Sequence, residues 1–194
     1  MLLPSILFVL WVIILLVFRK VKIPFFVFLF GSIGLFGFLM FLGLDFVEKY
    51  LEYLVTWAVG LIGQITGLYK AFPEYSMITA YHQTQAVSFF VDYECSGFIE
   101  TLVYVCLLMF YPVYRFGSKL ILVMIGVIYI FIANVIRVFF ICMITKFFGS
   151  QLFFISHTIL ARVIFFFFMV VIYYVVFTRP HILKQKVGNM SYGK

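Results

Sequence analysis

Acidic side chains are scarce in this chain. Only seven of its 194 residues are Asp or Glu, and charged residues of both signs together make up 11%. A water-soluble domain of this size needs far more polar surface than that. Cysteine is also scarce, at three, with no Cys-x-x-Cys spacing and no His-rich tract to suggest a disulfide framework or a metal site. A phosphate-binding glycine loop, an internal repeat and a nucleic-acid-binding motif are all missing, so no nucleic-acid partner is expected and the net charge of +7 needs another account. The first apolar stretch, Leu2 to Phe18, has no basic residue before it and no small-residue cleavage site after it. A secretory signal has both, so this stretch is expected to remain as a permanent helix.

What fills the chain instead is hydrocarbon: 66% of residues are hydrophobic and 28 are Phe. The expectation is an integral protein of the cell membrane. A span needs ~20 largely apolar residues, and five segments qualify: 2–18, 23–44, 97–114, 120–145 and 157–177. Between the second and third, Asp45, Glu48, Lys49, Glu52 and Thr56 recur at three- and four-residue steps opposite Phe46, Val47, Leu51, Leu54 and Val55. That period predicts an amphipathic helix over 46–70. Basic loops stay cytoplasmic, which places Arg19, Lys20 and Lys22, then Arg115 and Lys119, then Arg179, Lys184, Lys186 and Lys194 inside, against anionic lipid. The N-terminus is then outside and the C-terminus cytoplasmic. Residues 45–96 begin and end outside, so 46–70 reads as an interfacial or re-entrant helix on the outer face. Short β-prone runs at 77–81 and 86–91 predict an extracytoplasmic hairpin within 76–92. Pro180 is expected to end the last helix, leaving 179–194 as an unstructured basic tail. The fold class is therefore an all-α polytopic bundle of five to six transmembrane helices. It forms one membrane domain over 1–178, with an outer amphipathic helix and a short β-hairpin.

Few polar residues remain to carry chemistry. Cys95, in Asp92-Tyr93-Glu94-Cys95-Ser96-Gly97-Phe98, stands where a polar stretch meets a new apolar helix. Unpaired N–H groups and the dipole at a helix start favour a thiolate, and Ser96 and Gly97 keep the backbone there small. Asp92 and Glu94 oppose a second negative charge, so a cation must come from elsewhere. Arg137 is the natural supplier, about eight residues inside its helix end, or ~12 Å, with Asn134 one turn earlier on the same face. A lipid-facing arginine at that depth costs at least ~2.5 kcal/mol, so it should face the protein interior. A plain Arg–Glu100 ion pair is the structural alternative. Arg162 is five residues from His157 and so points to another face, where it is a second candidate partner for Glu100. His157, expected to open the last helix, can act as general acid or base near neutral pH. His82, at the hairpin turn, and His181, in the tail, are weaker candidates. Cys106 and Cys142 lie within apolar runs and read as inert.

At these residues the chain resembles the exosortase/archaeosortase family of multi-pass membrane cysteine transpeptidases, and most of all its compact Gram-positive exosortases. Glu94-Cys95-Ser96-Gly97-Phe98 is similar to the family's Cys-Ser-Gly motif, Asn134-Val135-Ile136-Arg137 to its Asn-x-x-Arg motif, and His157 to its third polar position. Phe98 stands where an aliphatic residue is usual, and the last segment offers both His157 and Arg162 for a position that members fill with either type. The resemblance implies Cys95, Arg137 and His157 as catalytic residues, and no cofactor. It implies an exported substrate with a hydrophobic, basic-ended C-terminal sorting signal, and a lipid or glycan acceptor. The rival reading is a non-catalytic membrane component or transporter subunit of a surface polysaccharide or export system.

Overall fold

The computed structural model describes residues 2–82 and 85–186. The chain is mostly helical, with one small antiparallel sheet. Among the described residues, three helices are long and apolar enough to cross a membrane: Pro24–Phe41, Phe116–Phe148 and the run Leu152–Ile182. Phe98–Phe110 is a shorter apolar helix. By its contacts the chain divides into two compact units. One comprises the described residues of Met1–Leu44, Leu102–Ile125 and Tyr174–Lys194; the other comprises those of Asp45–Thr101 and Gly126–Tyr173.

In the first unit α1 (Leu2–Lys20) and α2 (Pro24–Phe41) form a hairpin. Pro24 occupies the first helical turn, where its missing N–H leaves no bond unmade. The Trp11 indole donates to the Phe30 carbonyl at 2.9 Å. A side chain at Gly34 would strike the Trp11 ring, and one at Gly31 the ring of Phe110 at the end of α4 (Phe98–Phe110). Small residues thus sit where neighbouring helices bring their bulkiest rings, which is how apolar helices approach closely in a membrane.

The end of the chain departs from expectation. A π-helical turn, Tyr174–Thr178, runs into α8 (Arg179–Lys186), so the helix continues through Pro180. Proline cannot supply the N–H that the carbonyl four residues earlier would accept. That carbonyl, of Val176, takes the Tyr114 hydroxyl at 2.8 Å instead, and the next, of Phe177, takes the Tyr111 hydroxyl at 2.6 Å. The expected unstructured tail is therefore helical as far as Lys186, and 187–194 lie outside the described residues.

The second unit begins with α3 (Asp45–Thr66), whose first turn carries Asp45 and Glu48, suited to the positive end of the helix dipole. It buries Val55, Thr56, Val59, Gly60 and Gly63. The helix stops at Gly67, whose φ of +66° is readily adopted only without a Cβ. Its end is thus earlier than residue 70, because Tyr69–Phe72 forms a strand, β1, that the helical period had concealed. β1 pairs antiparallel with β2 (Met77–His82), and β2 with β3 (Gln85–Phe90), in registers that include Ala71↔Ile78 and Thr79↔Ser88. The two expected hairpin strands are present and the third completes a small sheet. Tyr69 packs where Gly63 leaves room and donates its hydroxyl to the Val59 carbonyl at 2.9 Å. Val55, Val59, Ile78, Ala80, Phe89 and Val91 join Val138, Ile141 and Cys142 of α5 (Phe116–Phe148) in one buried core.

At the end of α5 the His82 Nδ1 lies 2.8 Å from the Lys146 carbonyl, which ties the end of β2 to that helix. Gly149 then turns with a φ of +68° into α6 (Ser150–Ile155), followed by a π-helical turn, Ser156–Leu160, and α7 (Ala161–Tyr173). His157 therefore lies inside a helical run that starts at Ser150, and does not open it. Phe147 to Ile155 are apolar except at three positions, and the break between α5 and α6 is a single glycine, too slight to read as a loop from composition.

Candidate active site

Cys95 is presented by a short turn between β3 and α4. Val91 N–H bonds the Ser76 carbonyl at 2.7 Å, anchoring the turn to the sheet. The Cys95 N–H then bonds both the Asp92 carbonyl, at 2.9 Å, and the Asp92 carboxylate, at 3.1 Å. Ser96 Oγ donates to the Tyr93 carbonyl at 3.1 Å and accepts from the Phe98 N–H at 3.3 Å, satisfying one of the open donors at the start of α4. Gly97 has a φ of +75°, and a Cβ there would meet Asn134 Cγ at 3.4 Å. Each small or polar residue of the motif thus has a local duty that fixes where the thiol points.

Two side chains from α5 grip the same turn. Asn134, fully buried, donates Nδ2 to the Cys95 carbonyl at 2.5 Å. Arg137, only 3% exposed, donates Nη1 to the Glu94 carbonyl at 3.1 Å and directs Nη2 to Cys95 Sγ at 3.7 Å. Its guanidinium lies 5.3 Å from the centre of the Phe165 ring, a cation–π contact that holds the plane in place. From the last helical run, His157 Nε2 lies 3.4 Å from Cys95 Sγ. Phe89 and Phe153 flank its imidazole, with ring centres 6.3 and 5.5 Å away.

Arg162 does not meet Glu100. It pairs with Glu94 Oε2 at 3.2 Å, with both side chains well exposed, so the pair contributes at most about 1 kcal/mol. In an α-helix, residues five apart diverge by roughly 140°, which is why His157 and Arg162 read as facing apart. The intervening turn is π-helical, with the Ala161 N–H bonded to the Ser156 carbonyl. Residues five apart then stack, so His157 meets Cys95 while Arg162 meets the adjacent Glu94. Glu100 Oε2 is buried without a hydrogen-bond partner.

Burial pushes the Cys95 thiol up to about 11, more than the Arg137 charge pulls it down, and Asp92 and Glu94 push it further. Cys95 is 3% exposed. The thiolate expected from a helix start is therefore not the resting form: the group is a protonated thiol beside an imidazole and a guanidinium. Such a pair acts by proton transfer to the base as the sulfur attacks. Composition did not mark Phe89, Phe153 and Phe165 among 28 phenylalanines. Asp92 three residues before Cys95 did carry a signal, since an Asx residue at that spacing caps the backbone N–H it reaches. Among the described residues no group of three His, Cys, Asp or Glu is placed to hold a metal ion.

A multi-pass helical membrane protein with a thiol, an imidazole and a guanidinium converging on one turn belongs to the class of membrane cysteine-site proteins. The family model of the transmembrane exosortases (Exosortase EpsH) matches residues 1–174, and the chain belongs to that family. It is thereby a membrane sorting enzyme. No curated protein and no solved structure matches the chain.

Proposed function

We propose that this protein is a membrane-embedded cysteine transpeptidase that cleaves a C-terminal sorting signal from exported proteins and transfers them to a surface lipid or glycan. The observation that carries the reading is the approach of His157 Nε2, at 3.4 Å, and Arg137 Nη2, at 3.7 Å, to the same Cys95 sulfur. In the proposed reaction, His157 takes the thiol proton as Sγ attacks the scissile carbonyl carbon. The oxyanion that forms faces the Arg137 guanidinium, whose charge is worth most in a site closed to bulk water. The tetrahedral adduct collapses, the C–N bond breaks, and His157 returns the proton to the leaving amine, which departs with the hydrophobic signal. The acceptor then gives its proton to His157 and attacks the thioester, releasing Cys95 as a thiol. Asn134, Ser96 and Gly97 hold the turn during these steps.

The substrate in this reading bears a hydrophobic, basic-ended C-terminus, which reaches the site from within the bilayer, among five to six spans. The motifs are similar to those of the compact exosortases of Gram-positive bacteria. The N-terminus and the site lie outside, and the C-terminus is cytoplasmic. Arg137 makes no salt bridge among the described residues, which speaks against a merely structural ion pair and for a charge held available to the sulfur and the oxyanion. Cys95→Ala and Cys95→Ser should abolish processing of a co-expressed substrate while the protein still inserts and accumulates. Cys106→Ala and Cys142→Ala should process within about twofold of wild type, both thiols being buried in the fold and, in this reading, idle. Processing by Cys95→Ala would remove the cysteine mechanism.

A further inference from the structure

Three polar atoms beside the site are buried without a partner: Arg137 Nε, Asn134 Oδ1 and Glu100 Oε2. Arg137 directs each Nη to the Cys95 turn, and Asn134 donates an amide N–H to the Cys95 carbonyl. Asn134 and Arg137 are fully and nearly fully buried, and a buried donor or acceptor left open is costly, the more so in an apolar surround.

The three groups stand within one turn of one helix contact. Arg137 is one turn beyond Asn134 on α5, and Glu100 is one turn beyond Gly97, where a Cβ would meet the Asn134 side chain. Helical side chains lean back toward their own N-termini, so Arg137 and Glu100 both reach toward the Gly97–Asn134 contact. Arg137 is the side-chain charge that acts on the Glu100 carboxyl, yet the two make no ion pair within 4.0 Å. One open donor N–H and two open acceptor oxygens are the complement of a single water molecule, which accepts once and donates twice. Three bonds are the usual complement of a buried water.

We propose that Arg137, Asn134 and Glu100 hold one buried water, and that Glu100 acts through it as a positioning residue for the guanidinium facing Cys95. The inference deepens the catalytic reading of Arg137 and rests on it. The water occupies Nε from behind, leaving Nη1 and Nη2 on the Glu94 carbonyl and the sulfur. Glu100 matters here as a hydrogen-bond acceptor fixed at one distance, so an amide can replace it and an apolar side chain cannot.

The test uses full-length protein in detergent, labelled with 15N-arginine, with the Arg137 Nε–H signal assigned by its loss in Arg137→Lys. Wild type should show direct cross-relaxation between this proton and a long-lived water. Glu100→Gln should keep it and Glu100→Met should lose it. A wild-type signal without the water contact overturns the proposal before any variant is made. Positioning is read from the rate of Cys95 alkylation by iodoacetamide at pH 9. A one-unit rise in thiol pKa cuts the thiolate about tenfold, and the more basic thiolate recovers about a factor of three. Glu100→Met should therefore react about threefold more slowly and Glu100→Gln at nearly the wild-type rate. If Glu100→Met does not fold, Glu100→Ala gives the same reading. Equal rates in all variants, or an equal loss in Gln and Met, contradict the proposal. None of these readouts needs substrate, so the transpeptidase reading fails separately, by processing in Cys95→Ala.

Discussion

Replacing Arg137 by lysine keeps the charge and removes the geometry, so it isolates what the guanidinium contributes. In the structure one planar group spans two partners, the Glu94 carbonyl at 3.1 Å and the Cys95 sulfur at 3.7 Å. A lysine ammonium is a single point on a flexible stem and cannot hold both directions at once. The variant should lose one hydrogen bond made by a charged group, worth about 1.5–3 kcal/mol. At 1.36 kcal/mol per tenfold, this is a loss of roughly 10- to 150-fold in rate. An oxyanion donor falls in or somewhat above that range. The assay is processing of a reporter carrying the sorting signal, in proteoliposomes, with kcat and KM separated. The loss should fall on kcat and leave KM nearly unchanged, as for an interaction strengthened in the transition state. Arg137→Lys that folds and processes within threefold of wild type would refute the reasoning, since charge alone would then suffice.

Two further outcomes follow from the same geometry. The Asp92 carboxylate raises the Cys95 pKa, so Asp92→Asn should lower it while its amide oxygen still caps the Cys95 N–H. Below the thiol pKa, iodoacetamide alkylation should then run faster than wild type, by about threefold per unit of pKa lowered, and slower alkylation would reverse the assigned sign. Reporter fusions after Lys70 and after Glu94 should both read as extracytoplasmic, and a cytoplasmic signal at Lys70 would overturn the proposed path of α3.

Membrane character was legible in the sequence because it is written in composition, and the helices followed from unbroken apolar runs. The candidate site was legible because arginine, asparagine and histidine are rare in such runs, and three of them converge on Cys95. What stayed hidden depends on backbone detail. β1 lay behind a helical stripe that continued across Gly67, and only the positive φ of that glycine ends it. The helix through Pro180 survives on hydroxyls from Tyr111 and Tyr114, which lie more than sixty residues away in sequence. The relation of His157 to Arg162 turned on one π-helical turn, which no residue pattern announces. The thiol's protonation followed from burial, whereas sequence position alone had suggested a thiolate.

The central claim is that Cys95 forms a thioester with the exported substrate. Incubating the purified enzyme with a sorting-signal peptide in the absence of acceptor, then quenching in acid and digesting, tests it directly by mass spectrometry. The account predicts an acyl adduct on the Cys95 peptide that hydroxylamine releases and that Cys95→Ser does not form as a thioester. Cleavage of the peptide with no adduct on Cys95, or with an adduct on another residue, would contradict it.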